Sequence, residues 1–290
     1  MTAQPLADET VGTFTLGGDL TVRRLGFGAM RITGAGVWGE PEDPHRARGV
    51  LRRAVELGVN LIDTADSYGP EVSERLIAEA LHPYPSDLVI ATKGGLARSG
   101  PGEWPPDGRP EHLHEACEGS LRRLKLDRID VYQHHRPDPN VPIEESLGTL
   151  VELREEGKIR HIGVSNYSPE LLERALELTE VVSVQNRYNV GDRSSEPVLE
   201  ECERRELGFL PWAPFAAGPL ASAGGPLDEL ARRYDATPGQ IALAWLLGRS
   251  PAMLPIPGTS SVEHLEENIG AARIELSDEE MAALSASADS

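Results

Sequence analysis

Positive charge is scarce in this chain of 290 residues, and lysine above all. Only Lys93, Lys125 and Lys158 occur, and 47 acidic against 28 basic residues leave a formal net charge of −19. Such a surface repels nucleic acid and anionic membranes, so neither is expected as a partner. Cysteine is equally thin: Cys117 and Cys202 stand far apart in helical patterns, with neither the framework of a disulfide scaffold nor zinc-ligand spacing. The chain has no apolar run of about 18 residues, which excludes a membrane-spanning helix. Its opening, MTAQPLADET, lacks the basic-then-apolar order of a signal peptide, and a cytoplasmic location is expected. No metal is expected either. His134 and His135 are neighbours on a strand and face opposite ways, and His112 and His114 are two apart on a helix. Gly26-Phe27-Gly28 begins like a dinucleotide fingerprint, but Arg31 stands where its third glycine belongs.

What the chain does have is alternation. Residues 1–10 read as a disordered tail and 11–290 as a single domain. A hairpin over 12–25 turns at Gly17-Gly18-Asp19. Apolar strand-like runs then begin at Leu25, Asn60, Leu88, Ile129, Ile159, Val181, Phe209 and Met253. Helical patterns fall between them at about 44–58, 71–81, 111–124, 143–157, 168–178, 194–207, 238–249 and 261–270, with extra helices at 226–235 and 277–287. Asp43-Pro44, Ser168-Pro169 and Thr237-Pro238 mark helix starts, and Gly58, Gly157 and Gly208 mark helix ends. Eight strand–helix units predict an α/β fold, a parallel (β/α)8 TIM barrel plugged by the hairpin and carrying extra outer helices. Two strand-to-helix connections are longer than the rest: Gly94–Pro110, which holds Trp104, and Ala213–Gly225.

In such a barrel the strand ends share one rim. The second strand ends on Asp63, the third on Lys93 and the fourth on His135, with neighbouring strands roughly 4.8 Å apart. Tyr68 follows five residues after Asp63 and can fold back over them. A phenol is a poor proton donor or acceptor near neutrality, since its pKa is about 10. A close ammonium should lower it, by about 1–3 units. Asp63 would hold Lys93 charged, and His135 would position a substrate oxygen. Taken singly, each residue reads as an ordinary salt bridge, packing group or hydrogen-bonded histidine. Together they suit protonation of a carbonyl oxygen as hydride reaches its carbon.

The later strands end in Ser165-Asn166, Gln185 and Trp212. These suit the carboxamide and flat ring of a nicotinamide, with core packing as the alternative for Trp212. Ile256 to Ser261 forms a Gly/Thr/Ser loop opening a helix, either a phosphate site or a plain cap.

LGFGAM, IDTADSYG, VIATK, DVYQHH, IRHIGVSN, VVSVQNRYN and IPGTSSVEHLEENIGAA together resemble the aldo-keto reductase family over nearly the whole chain. The resemblance implies a catalytic tetrad of Asp63, Tyr68, Lys93 and His135, with Tyr68 as general acid. It assigns Ser165, Asn166 and Gln185 to the carboxamide and Trp212 to ring stacking. Gly258, Thr259, His264, Glu267 and Asn268 match the adenine and 2′-phosphate segment. Many members carry lysine or arginine where Gly258 stands, and arginine where His264 stands. With Thr259, Ser260 and the helix start left to hold the 2′-phosphate, NADPH is expected ahead of NADH. GAMRITGAGVWGEP, the TADSYGP loop, PWAPF and IPGTSSVEHL look most like the bacterial pyridoxal reductase branch. That implies pyridoxal as substrate, Arg31, Trp38 and Trp104 as pocket residues, and a monomer as the common state. The alternatives are a Schiff-base barrel lyase using Lys93 and a non-catalytic nicotinamide-binding regulatory subunit.

Overall fold

The computed structural model describes residues 4–215 and 223–287. Strands β1 (Thr13–Leu16) and β2 (Leu20–Arg23) form the expected antiparallel hairpin. Seven parallel strands follow in sequential order: β3 (Phe27–Gly28), β4 (Leu61–Asp63), β5 (Val89–Gly94), β6 (Ile129–His134), β7 (Ile159–Ser165), β8 (Ser183–Arg187) and β9 (Gly208–Trp212). The run predicted as an eighth strand is not a regular one. Pro255 and Pro257 have no N–H to give to a ladder. The segment still closes the barrel through its carbonyls: Gly26 donates to Pro255 O at 2.9 Å and Gly28 to Pro257 O at 3.4 Å, while Leu254 N donates to Phe209 O at 2.8 Å.

The closure is tight enough to dictate glycine. A Cβ on Gly258 would lie 2.5 Å from the Gly28 carbonyl oxygen, and one on Gly28 the same distance from Ile256 O. A lysine or arginine at 258 therefore does not fit this backbone path.

Short helix α1 (Asp8–Val11) corrects the expectation of a disordered tail for residues 4–10. Leu6 is buried, and its N–H donates to Leu57 O at 2.8 Å. The helices α2 (Pro44–Glu56), α3 (Val72–Leu81), α4 (Pro110–Leu124), α5 (Ile143–Glu155), α6 (Pro169–Leu178) and α7 (Glu196–Arg205) ring the sheet. So do α8 (Pro226–Arg233), α9 (Pro238–Arg249), α10 (Val262–Gly270) and α11 (Asp278–Ser287). Asp43, Ser168 and Thr237 cap α2, α6 and α9 as expected, each accepting a backbone N–H three residues on. Gly208 does not end a helix: α7 stops on Glu206 in the left-handed region. Gly208 opens β9 where a Cβ would meet Leu16 at 2.7 Å and Leu254 at 2.9 Å.

Leu16, Leu20 and Val22 from the hairpin pack with Leu61, Val131 and Leu254 inside the barrel. Burial of side chains this size contributes about 1.5–3 kcal/mol each and plugs the N-terminal end. Within the barrel, the opposite end, where the parallel strands finish, is the place for a site. Among the described residues no helix is long and apolar enough to cross a membrane, and no group of three metal-ligating side chains occurs. The connection from Ala213 to Gly225 lies largely outside the described residues.

Candidate active site

Side chains alternate along a strand. Leu61, Val89, Ala91 and Val131 fill the barrel interior, so Asp63, Lys93 and Gln133, each two residues further on, point into its upper end. All three are buried. Lys93 Nζ donates to Asp63 Oδ1 at 2.6 Å and to the Thr64 carbonyl at 2.8 Å, and it lies 3.4 Å from the Tyr68 hydroxyl. Tyr68 folds back from the β4 exit loop, with its ring 5.0 Å from the same nitrogen. His135, one residue beyond β6, meets the Tyr68 ring edge-to-face at 5.9 Å, and its Nδ1 lies 3.4 Å from Ser67 Oγ. The three residues singled out at the strand ends and Tyr68 from the exit loop are thus one cluster. His134 turns the other way, onto the Tyr167 hydroxyl at 2.8 Å.

Burial pulls the Lys93 ammonium down, but the Asp63 charge and Tyr68 outweigh it and leave the pKa above its ordinary 10.5. The expectation for Tyr68 is reversed. Burial raises its phenol above 10, and Lys93 opposes this without overcoming it. The lysine limits the rise rather than producing a phenolate. Burial first, then the Lys93 charge, holds His135 well below 6.5, so its imidazole is neutral. The cluster is a protonated phenol and a neutral imidazole over a buried ammonium. It can give a proton to an oxygen that gains negative charge.

Gln185 has partners of its own inside the barrel. Its Nε2 donates to Asp63 Oδ2 at 2.8 Å and to Gln133 Oε1 at 3.2 Å, so both of its N–H bonds are committed beneath the cluster. Gln133 Nε2 also donates to Asp63 Oδ2, at 2.9 Å. Gln133 was not foreseen. Its one signal in the sequence is its place two residues before His135, on the same face of the strand. Ser165 Oγ donates to Gln185 O at 2.8 Å. Asn166, held at φ 61°, donates to His135 O at 3.0 Å and accepts from Trp212 Nε1 at 3.1 Å. This fixes the partly exposed indole at the rim.

Beside that rim lies the loop into α10. Thr259 Oγ1 accepts from Ser261 N at 3.1 Å, and Ser261 caps the helix by accepting from His264 N at 3.3 Å. Ser260 and His264 are exposed and Asn268 is buried. Glu267 Oε1 accepts from Thr237 Oγ1 at 2.6 Å and so ties α10 to the cap of α9. Arg31 has its Cγ 3.5 Å from where a Cβ of Gly258 would stand, which puts an exposed cation beside the α10 loop.

Trp104 packs on Tyr68, edge-to-face at 6.3 Å, and Trp38 lies on a strand-like stretch bridged to Gly69. Arg98, another residue the sequence reading missed, stacks on Trp104 at 3.5 Å. Its only signal was its place in the long β5 exit loop, six residues before Trp104.

A sequence model described as "Aldo/keto reductase family" matches residues 24–289. The chain is 51% identical over 267 residues to the uncharacterized oxidoreductase C215.11c of Schizosaccharomyces pombe, covering 92% of this chain and 87% of that one. It is 44% identical over 280 residues to pyridoxine 4-dehydrogenase of Escherichia coli K12, covering 94% and 96%. It also resembles a solved aldo/keto reductase of Klebsiella pneumoniae, in complex with NADP and acetate. That match has a TM-score of 0.76 at 28% identity and covers 94% of this chain and 93% of that one. The chain belongs to the aldo/keto reductase family.

Proposed function

We propose that this enzyme is an NADPH-dependent carbonyl reductase that reduces pyridoxal to pyridoxine, with Tyr68 as general acid. The observation that carries this reading is the Tyr68 hydroxyl 3.4 Å from the Nζ of a buried Lys93 that is itself paired to Asp63 at 2.6 Å. The name of the E. coli relative supports the substrate, and Trp104, packed edge-on against Tyr68, gives a flat aromatic aldehyde a wall to lie against.

The residues present fit a dinucleotide. Trp212 offers a partly exposed indole pinned by Asn166, and Asn166 and Ser165 stand beside it with amide and hydroxyl groups. Thr259, Ser260 and the start of α10 offer a hydroxyl pair and a helix N-terminus to a phosphate, and Arg31 adds the positive charge that Gly258 cannot carry. The reduced nicotinamide supplies the hydride when bound. Tyr68 gives its proton to the carbonyl oxygen. Lys93 offsets the phenolate left behind, and Asp63 keeps Lys93 charged and in place. Neutral His135 holds the same oxygen by a hydrogen bond.

Lys93 suits a Schiff-base lyase poorly. A nucleophilic lysine needs a lowered pKa, and here the pKa is raised and the amine is fully buried among three partners.

The test is the fall in absorbance of NADPH or NADH over a panel of aldehydes that includes pyridoxal, repeated with Tyr68→Phe. Pyridoxal-dependent oxidation of NADPH, lost in Tyr68→Phe with cofactor binding kept, is the expected result. Cofactor binding without turnover of any carbonyl would point instead to a regulatory subunit, and activity surviving in Tyr68→Phe would remove that residue from its role.

A further inference from the structure

Two segments that are distant in sequence, and its own loop, converge on Arg98. Its Nη1 donates to Ser67 O at 2.7 Å and to Val37 O at 3.1 Å, and its Nη2 lies 3.4 Å from Gly100 O. Its guanidinium carbon stands 3.5 Å from the Trp104 ring centroid and 5.3 Å from that of Trp38. Three of these contacts lead on toward Tyr68. Ser67 precedes it and touches His135. Val37 O also accepts from Gly69 N at 3.3 Å, just after it. Trp104 packs edge-on against the Tyr68 ring.

The chemistry of this junction requires arginine in particular. A guanidinium can donate in its plane to several carbonyls while its faces lie on aromatic rings, and an ammonium cannot do both. Among the described residues Arg98 has no carboxylate partner, although acids outnumber bases in the chain. Its charge is instead met by carbonyl dipoles and indole faces. An arginine set among backbone oxygens and two tryptophans acts on loop geometry rather than on surface charge.

We propose that Arg98 is the positioning residue that shapes the substrate pocket. It locks Trp38 and Trp104 as walls and the Ser67–Gly69 turn as their base, and thereby makes the enzyme favour flat aromatic aldehydes over small aliphatic ones. This rests on the reading of Tyr68 as the acid that meets the carbonyl. Arg98 itself acts through the indoles and the Tyr68 turn.

The test compares KM and kcat for pyridoxal and for propanal in the wild type, Arg98→Ala, Arg98→Lys, Trp104→Leu and the Arg98→Ala/Trp104→Leu double variant. NADPH affinity is followed by quenching of protein fluorescence. Arg98→Ala should raise KM for pyridoxal about tenfold more than KM for propanal, roughly what one charge-assisted hydrogen bond is worth. NADPH affinity should hold. Lysine should rescue only a small part of the loss, because it lacks the planar fork. The double variant should be little worse than the worse single one, since both residues serve one wall. Equal KM changes for the two aldehydes, full rescue by lysine or simple additivity would each overturn the assignment. If Arg98→Ala does not fold, Arg98→Lys carries the comparison, with the same selective rise in KM expected. A wild type inert toward every aldehyde would sink the reductase reading itself. An active wild type whose Arg98 variants keep the aromatic preference would sink only the role of Arg98.

Discussion

Gln185 reaches across the barrel interior and donates to Asp63 Oδ2 at 2.8 Å. With Gln133 on the same oxygen and Lys93 on the other, the carboxylate is clamped from three strands. If this is the main work of Gln185, then Gln185→Leu should cost stability and turnover more than cofactor affinity. Removing one donor from a buried carboxylate is expected to cost about 1–3 kcal/mol in urea unfolding. Fluorescence titration should find the NADPH Kd nearly unchanged. A large rise in Kd with normal stability would return Gln185 to the carboxamide.

Arg31 beside Gly258 makes a prediction about cofactor choice. Arg31→Ala should weaken NADPH about tenfold, as expected for one charge-assisted contact to a phosphate, and leave NADH within about twofold. Parallel Kd measurements with the two cofactors give the answer directly. Equal losses would mean that Arg31 does not meet the 2′-phosphate.

The chemistry-bearing residues were legible in the sequence because parallel strands deliver their last residues to one rim. Asp63, Lys93 and His135 needed only strand assignment and order. Tyr68 needed only a short exit loop. What stayed hidden depends on closure in three dimensions. The partners of Gln133 and Gln185 are set by how the barrel curls, and no local pattern says that two amides will share one carboxylate. The glycine at 258 reads as a missing charge until Gly28, far off in sequence, is seen to leave no room for a Cβ. The eighth strand looks apolar and regular in sequence, but Pro255 and Pro257 remove the donors of a regular ladder. Proximity of Lys93 to Tyr68 was readable, whereas the burial that outweighs it was not.

That reversal sets the pH dependence of the reaction. Tyr68 sits above 10, so the proton needed for reduction is present throughout the neutral range, and His135 stays uncharged well below 6.5. Single-turnover reduction should be flat from about pH 6 to 9, falling only as the phenol ionises above its unperturbed value of about 10. Alcohol oxidation needs the phenolate and should rise with pH over the same interval. A break near 6.5 in the reductive direction, absent in His135→Asn, would contradict a neutral His135.

Two buried groups outside the tetrad should shape stability in opposite directions. Burial pushes the His134 imidazole down to about 4 from 6.5. The unfolded chain therefore binds the extra proton between these values, and stability is lost as pH falls through them, by up to about 3 kcal/mol. Burial and the nearby Glu74 charge push the Asp66 carboxyl up to about 8 from 3.8, against the pull of Arg123, and its Oδ1 has no hydrogen-bond partner. Here the folded state holds the proton longer, so stability is lost as pH rises from about 4 to 8. Asp66→Asn should therefore match the wild type at pH 4 and melt higher at pH 8, by about 2–4 °C for each kcal/mol relieved. Melting curves at both pH values test the sign. A variant less stable at pH 8 would show that the ionised Asp66 is satisfied in the folded protein, and that the loop bearing Tyr68 gains from its charge.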